Sequence, residues 1–275
     1  MKYLNLGCGS HFVSHEGWTN IDFVSTGPGV VAHNLLDGIP FEDSVFDMVY
    51  HSHVLEHFSK EDGFKLIQEC LRVLKPKGVI RIAVPDLERI VRGYLEFMNK
   101  GLQDPQNEEI WANYQWMMLE MYDQTVRSKP GGEMLKYLSE ASLTNEDFIF
   151  SRIGVEGKTI RKKLLTSNKN NVHLGAETYI KTSYSSLKRW VKLIFKNREL
   201  EKFEQIGRFR LSGEIHQWMY DRYSLSKLLS DSGFFEVSER SAFDSFINGW
   251  KNFHLDSEQE EIRKPDSLFI EALKK

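Results

Sequence analysis

The tightest constraint on this chain lies in its first 90 residues, where short apolar runs ended by turn residues alternate with one clear helix. Tyr3-Leu4-Asn5-Leu6 reads as a buried strand running into glycines, Trp18 to Phe23 as a second strand and Val30-Val31-Ala32 as a third. Phe46 to Tyr50 supplies a fourth, and Gly78 to Val84 a fifth that Pro85 stops. Between the last two, Phe64, Ile67, Leu71 and Leu74 fall at helical spacing. Lys75-Pro76-Lys77-Gly78 then ends that helix and turns the chain into the next strand. Strands alternating with helix imply a parallel sheet with crossover connections.

The middle of the chain has another texture. Residues 91–214 are polar, mostly helical in pattern and without a convincing strand, with loops expected at Gly131-Gly132 and from Ser167 to Asn171. Within it, residues 152–210 hold 15 Lys and Arg against 5 Asp and Glu. The first texture returns after that. Ser224 to Ser232 reads as a helix with Ser224 as its cap and Gly233 as its stop. Phe234 to Ser238 and Ser267 to Leu273 read as two closing strands. The expected fold is therefore a Rossmann-like, doubly wound α/β sheet, mostly parallel, with an antiparallel C-terminal strand added at the sheet edge. Residues 1–90 and 215–275 would form this domain. The helical insertion, 91–214, would emerge beside the carboxyl ends of the strands as a lid, substrate or dimer contact.

Bulk properties narrow the class. A net charge of −3 argues against a surface that tracks nucleic acid throughout. Cys8 and Cys70 are too few for a disulfide framework or a zinc ribbon and fit a reducing compartment. The N-terminus lacks the apolar run of a signal peptide, and no segment reaches the roughly 18 apolar residues that cross a bilayer. A cytoplasmic globular protein is expected.

The chemistry starts where the first strand meets Gly7-Cys8-Gly9-Ser10. Glycines there let a ligand approach the backbone at the carboxyl end of a parallel strand. Asp22, ending the second strand, could accept hydrogen bonds from both hydroxyls of a ribose. Taken singly, these are equally a tight turn and a surface acid. Order and spacing add specificity. Leu4-Asn5-Leu6-Gly7-Cys8-Gly9, then Gly17 to Asp22, Ile39 to Tyr50, His51 to Phe58 and Leu71 to Gly78 follow one another in a way that resembles class I S-adenosylmethionine-dependent methyltransferases of the small-molecule type. The segment from His216 to Phe234 resembles the same family ahead of its last strands. The middle of the chain is not covered.

The resemblance implies S-adenosylmethionine as cofactor and assigns residues to it. Gly7, Cys8 and Gly9, flanked by Asn5 and Ser10, would pass beneath the methionine part. Asp22 would hold the ribose, with Phe23 against it or the adenine. Asn34 and Leu35 would contact the adenine amine, and His51 the cofactor's backbone or carboxylate. Three departures stand out: Asn5 replaces the acid often found there, a third glycine is absent because His11 follows Ser10, and the join from Gly9 to Trp18 is too short for a full crossover helix.

A sulfonium is an activated methyl donor, so catalysis is mainly in-line positioning of a nucleophile, with a base where that nucleophile is a hydroxyl. His53, just past the fourth strand, and His216, opening the returning segment, are the candidate bases. His51, His53 and His57 suggest a metal, but no Cys or acidic cluster matches their spacing and Glu56 is expected to point elsewhere on the turn, so no metal is expected. Asp86 could touch substrate, with a helix cap as its plainer role. Leu187, Trp190, Val191, Ile194 and Phe195 form an apolar stripe among basic residues. It suits packing on its own domain, contact of residues 185–204 with a membrane surface, or a lipid-linked or phosphorylated substrate. Trp111, Tyr114, Trp116, Met117, Met118 and Met121 read as core or as an oligomer contact.

The acceptor expected is a small molecule or glycan, sugar and lipid-linked compounds included, methylated at oxygen, with nitrogen as the alternative. Nucleic acid is disfavoured for want of a recognition motif. A nicotinamide-dependent oxidoreductase would want Gly-x-Gly-x-x-Gly and an acid about 20 residues on, whereas Asp22 comes early. A non-catalytic S-adenosylmethionine-binding subunit would carry the same cofactor motifs.

Overall fold

The computed structural model describes residues 1–170 and 200–275. The basic apolar stripe at 187–195 and most of 185–204 lie outside the described residues. Strands β1 (Tyr3–Leu6), β2 (Trp18–Asp22), β3 (Val30–Ala32), β4 (Phe46–Ser52) and β5 (Leu74–Pro85) form where the apolar runs are. β6 (Phe234–Arg240) and β9 (Ser267–Lys274) join them, while β7 (Ser257–Glu258) and β8 (Glu261–Ile262) make a separate small hairpin. The seven-stranded sheet runs β3-β2-β1-β4-β5-β9-β6, parallel from β3 to β5. β9 is antiparallel to both neighbours. The expected class is thus present, with one correction: the antiparallel strand is inserted between β5 and β6 rather than added at the edge.

Several boundaries shift for physical reasons. β5 begins at Leu74 and carries the Pro-Lys-Gly turn as an irregularity, with Lys77 at φ 63° and the pairing register breaking between Phe46 and Met48. Helix α1 (Lys60–Val73) is capped by Ser59, whose hydroxyl accepts from the Asp62 amide. Helix α7 (Arg222–Asp231) is capped by Asp221, and Ser224 completes its capping box from three residues on. The loop expected at 167–171 is helical through Asn170.

Alternation along the strands sends side chains to two different cores. Leu4, Leu6, Val49, Ile80 and Ile82 pack with Ile67 and Cys70 of α1 and Leu225 and Leu229 of α7. On the other face Met48, Tyr50 and Val79 meet Trp250 and Leu255. No helix joins β1 to β2, as the short spacing requires. Aromatic rings cover that side instead: Tyr3–Trp18 and Trp18–Phe253 centroids are each 5.1 Å apart. Arg81, fully buried on β5, ties this cover to the sheet through Asp256 (2.7 Å) and Glu271 (2.9 Å), with its guanidinium over the Trp250 ring. Tyr50 and Trp250 also donate to Asp256, at 2.6 and 2.9 Å.

Helices α2 (Leu87–Gln103), α3 (Glu108–Val126), α4 (Gly132–Leu138), α5 (Glu146–Asn170) and α6 (residues 200–210) make up the described part of the middle region. Asp86 caps α2, accepting from the Glu88 and Arg89 amides. Trp116 and Met117 are core, whereas Trp111 lies exposed and stacked on Tyr114. α5 breaks at Gly154, where φ is 56° and a Cβ would lie 2.5 Å from Pro265 and 2.6 Å from the Ile262 carbonyl. The break lets α5 lie against residues 262–265 and roof the carboxyl end of the sheet.

Candidate active site

After β1 the chain moves outward to β2 and β3, then crosses back to β4 on the other side of β1. A crevice opens at such a switch point, beyond the carboxyl ends of the strands. Gly7 enters it at φ 61°, and a Cβ there would lie 2.3 Å from Val54 Cγ2, so the turn admits no side chain at this position. The Cys8 amide donates to the Ile21 carbonyl (3.1 Å) and the Gly9 amide to Asp22 Oδ2 (2.6 Å). Asp22 therefore braces the glycine turn from β2. Burial and the Asp22 charge push the Cys8 thiol up to about 11, so it is protonated at neutral pH.

A cavity of about 540 Å³ stands over this turn, within the size range of small-ligand sites. Its floor is Asn5, Gly7, Cys8, Gly9 and Ser10. Tyr50, Ser52 and His53 form one wall; Asp256, Arg263 and Ser267 come from the C-terminal segment, and Glu156, Thr159 and Lys163 from α5 above. The lining is polar and holds both signs of charge.

His53 is fixed from three sides. Its backbone adopts φ 54°, its amide donates to the Ala83 carbonyl (2.9 Å), and its Nε2 lies 2.8 Å from Ser267 Oγ. Its Nδ1 lies 3.2 Å from Glu56 Oε1. Glu56, on the single turn Leu55–His57, does not point away as expected. It is fully buried among His53, His57 and His216. Burial opposes its ionisation, yet His53 and the neighbouring imidazoles hold the carboxyl down to about 2.

His216 is also buried, and burial lowers its pKa to about 3, leaving it neutral. It packs edge-on against His57, centroids 4.9 Å apart. It lines a second cavity of about 660 Å³ together with Gln217, Trp218 and Met219. Of the two candidate bases, only His53 lines the cavity of the glycine turn.

Four other expected cofactor contacts lie away from this cavity. Alternation turns Tyr50 and Ser52 toward the cavity and His51 to the opposite face, where it is wholly buried and neither ring nitrogen has a partner among the described residues. Burial lowers its pKa to about 4. Phe23 is 68% exposed and outside the cavity lining. Asn34 spends its side chain capping the turn Leu35–Asp37, and Leu35 packs on the α1 side of the sheet. Sequence reasoning missed Ser267, Arg263, Glu156 and Asp256, which arrive from distant segments and leave no local signature. Glu56 did carry one, three residues from His53 on a turn.

Comparison with known proteins adds a family match. A family model described as a methyltransferase domain matches residues 19–82. No curated protein matches. Among solved structures, the chain is similar to an S-adenosylmethionine-dependent methyltransferase of Thermotoga maritima, 11% identical, covering 100% of this chain and 82% of that one at a TM-score of 0.39. A Haloferax volcanii complex that contains the Trm112 methyltransferase activator is similar at 10% identity, covering 99% of this chain and 81% of that one, TM-score 0.39. The [4+2]-cyclase SpnF matches at 21% identity and a TM-score of 0.26 over 30% of this chain; the match spans 38% of the cyclase.

Proposed function

We infer that this chain is a class I S-adenosylmethionine-dependent methyltransferase that methylates an oxygen of a small-molecule or glycan acceptor, a reading that the match of residues 19–82 to a methyltransferase domain and the order of the sheet support. The observation that carries the reading is that the glycine turn and His53 line one cavity at the switch point of the sheet. S-adenosylmethionine, when bound, supplies a methyl group already activated on its sulfonium. The residues present fit it: a turn bare of side chains at Gly7 and Gly9, and Asp22 with one oxygen on the Gly9 amide and the other available to ribose hydroxyls. Phe23, exposed beside Asp22, is available to lie against the adenine.

What remains for the protein is to hold the acceptor in line with that methyl group, which is where most of the rate gain of such a transfer comes from. His53 Nε2 now meets Ser267 Oγ. An acceptor hydroxyl taking the place of the serine would be held by the same nitrogen, against the glycine turn. Arg263, Lys163 and Thr159 offer the polar contacts that a hydroxyl-rich acceptor needs. In this reading residues 1–90 and 215–275 hold the cofactor, and 91–214 close over the acceptor.

Calorimetric titration with S-adenosylmethionine and with NAD, on wild type and Asp22→Ala, tests the cofactor site. Micromolar binding of the first alone, weakened at least about tenfold in the variant, is expected, since a lost charge-assisted hydrogen bond is worth roughly 1.5–3 kcal/mol. A folded protein that ignores S-adenosylmethionine would overturn the reading. A binding-competent protein is then screened against sugars and sugar nucleotides for methyl transfer.

A further inference from the structure

We infer that Glu56, His57 and His216 form a site for one first-row divalent transition-metal ion. A donor atom from each lies within 4.8 Å of the other two. Two imidazole nitrogens and one carboxylate oxygen form a donor set suited to ions such as Zn²⁺, Co²⁺ or Fe²⁺, and too poor in oxygen for Mg²⁺ or Ca²⁺.

The second observation is what these groups lack. Glu56 is fully buried, and neither of its oxygens meets an aligned hydrogen-bond donor among the described residues. His53 Nδ1 at 3.2 Å and His216 Nε2 at 3.9 Å approach the same oxygen, Oε1, without such alignment. His216, 4% exposed, has no partner for Nδ1 among the described residues. Buried polar groups are almost always satisfied, and charges more so. Beyond the 3.2 Å approach of His53 to Oε1, the carboxylate and the His216 imidazole lack partners among the described residues, which points to a ligand that satisfies both.

The surroundings match those of a metal centre. His57 Nδ1 lies 3.1 Å from the Ile215 carbonyl. Because a carbonyl only accepts, that bond places the proton on Nδ1 and leaves Nε2 with a free lone pair, the kind of backbone hydrogen bond that orients most metal-bound histidines. The two carriers of the site are stitched together by their backbones, although about 160 residues separate them. Gln217 and Trp218 amides donate to the Glu56 carbonyl at 2.7 and 3.2 Å, Gln217 Nε2 to the His57 carbonyl at 2.9 Å, and the His216 amide to the Gln124 carbonyl at 2.9 Å. The ligands are thus held before any ion arrives. His216 also lines the second cavity, where water or a ligand oxygen could fill the remaining coordination positions.

The test strips the full chain with EDTA and titrates it with Co²⁺, following the visible bands of the bound ion, and with Zn²⁺ by calorimetry. One equivalent should bind. His57→Ala and His216→Ala, each checked for folding by circular dichroism, should weaken binding by more than about 100-fold, the most that loss of an outer-shell partner alone costs. His15→Ala, an exposed histidine remote from the cluster in sequence, should leave it unchanged and so reports surface binding. A folded wild type that takes up neither ion, or one whose affinity survives both alanine variants, would overturn the assignment. Because the readout is metal uptake, its failure is separate from failure of the cofactor titration.

Discussion

His51→Leu isolates the cost of a buried histidine with no partner. The ring is fully inaccessible, both nitrogens are unpaired among the described residues, and burial lowers its pKa to about 4 against 6.5 for an ordinary histidine. Between those two values the unfolded chain binds a proton that the native one refuses, so native stability falls as pH drops from 6.5 toward 4. Each pKa difference of one is about 1.4 kcal/mol, giving a loss of about 2.5 kcal/mol between about pH 7.5 and about pH 4.5 from this residue alone. Leucine has a similar volume and cannot titrate. Urea unfolding of both proteins at the two pH values, in EDTA, should therefore show a smaller acid loss in the variant by about that amount. Other titrating groups, His216 included, are common to both and cancel. At the higher pH the variant should match or exceed wild type, since two unsatisfied polar atoms are gone. Equal acid losses in the two proteins would refute the burial argument. A variant that folds but no longer binds S-adenosylmethionine would restore His51 to the cofactor site.

Three further outcomes follow from local geometry. Gly154→Ala places a Cβ within 2.6 Å of two atoms at a left-handed φ, so it should lower Tm by several degrees, more than about 1 kcal/mol of strain, in a thermal melt. Gly7→Ala meets Val54 at 2.3 Å and should abolish measurable cofactor binding by calorimetry. Arg81→Met leaves Asp256 a buried carboxylate without its cation and Glu271 with Arg240 alone, at 3.4 Å; a loss of about 3–5 kcal/mol in urea unfolding is expected.

The parts of this fold that were legible in the sequence are those set by local periodicity and punctuation. β1 to β5, α1, the missing crossover helix and the closing strands follow from apolar runs of limited length ended by glycine or proline. The place of β9 between β5 and β6 was not legible, because partner choice among strands is decided by packing across the sheet, not by either strand's own residues. The site divides in the same way. Gly7, Cys8, Gly9 and Asp22 are one local turn and its brace, and they lie together. A single step of strand alternation puts His51 on the face opposite the cavity, a difference that no resemblance at the level of a motif resolves. Ser267, Arg263 and Glu156 reach the cavity through tertiary contacts and carry no signal in their own neighbourhoods.

Glu56 connects these levels. A buried carboxylate is tolerated only where the structure compensates it. Here one side offers His53, which lines the cofactor cavity, and the other His57 and His216, with His216 on the rim of the second cavity. The backbone bonds from Gln217 and Trp218 to the Glu56 carbonyl fasten the segment after the helices to the turn after β4. Any shift of the helical region that carries residues 215–218 must therefore be felt at Glu56, and through it at the His53 ring. If an ion occupies the cluster, it draws on the same carboxylate, so loading the metal site and orienting His53 are coupled events. Titrating the wild type with S-adenosylmethionine before and after Co²⁺ loading measures this coupling: reciprocity requires that any gain in cofactor affinity appear as an equal gain in Co²⁺ affinity.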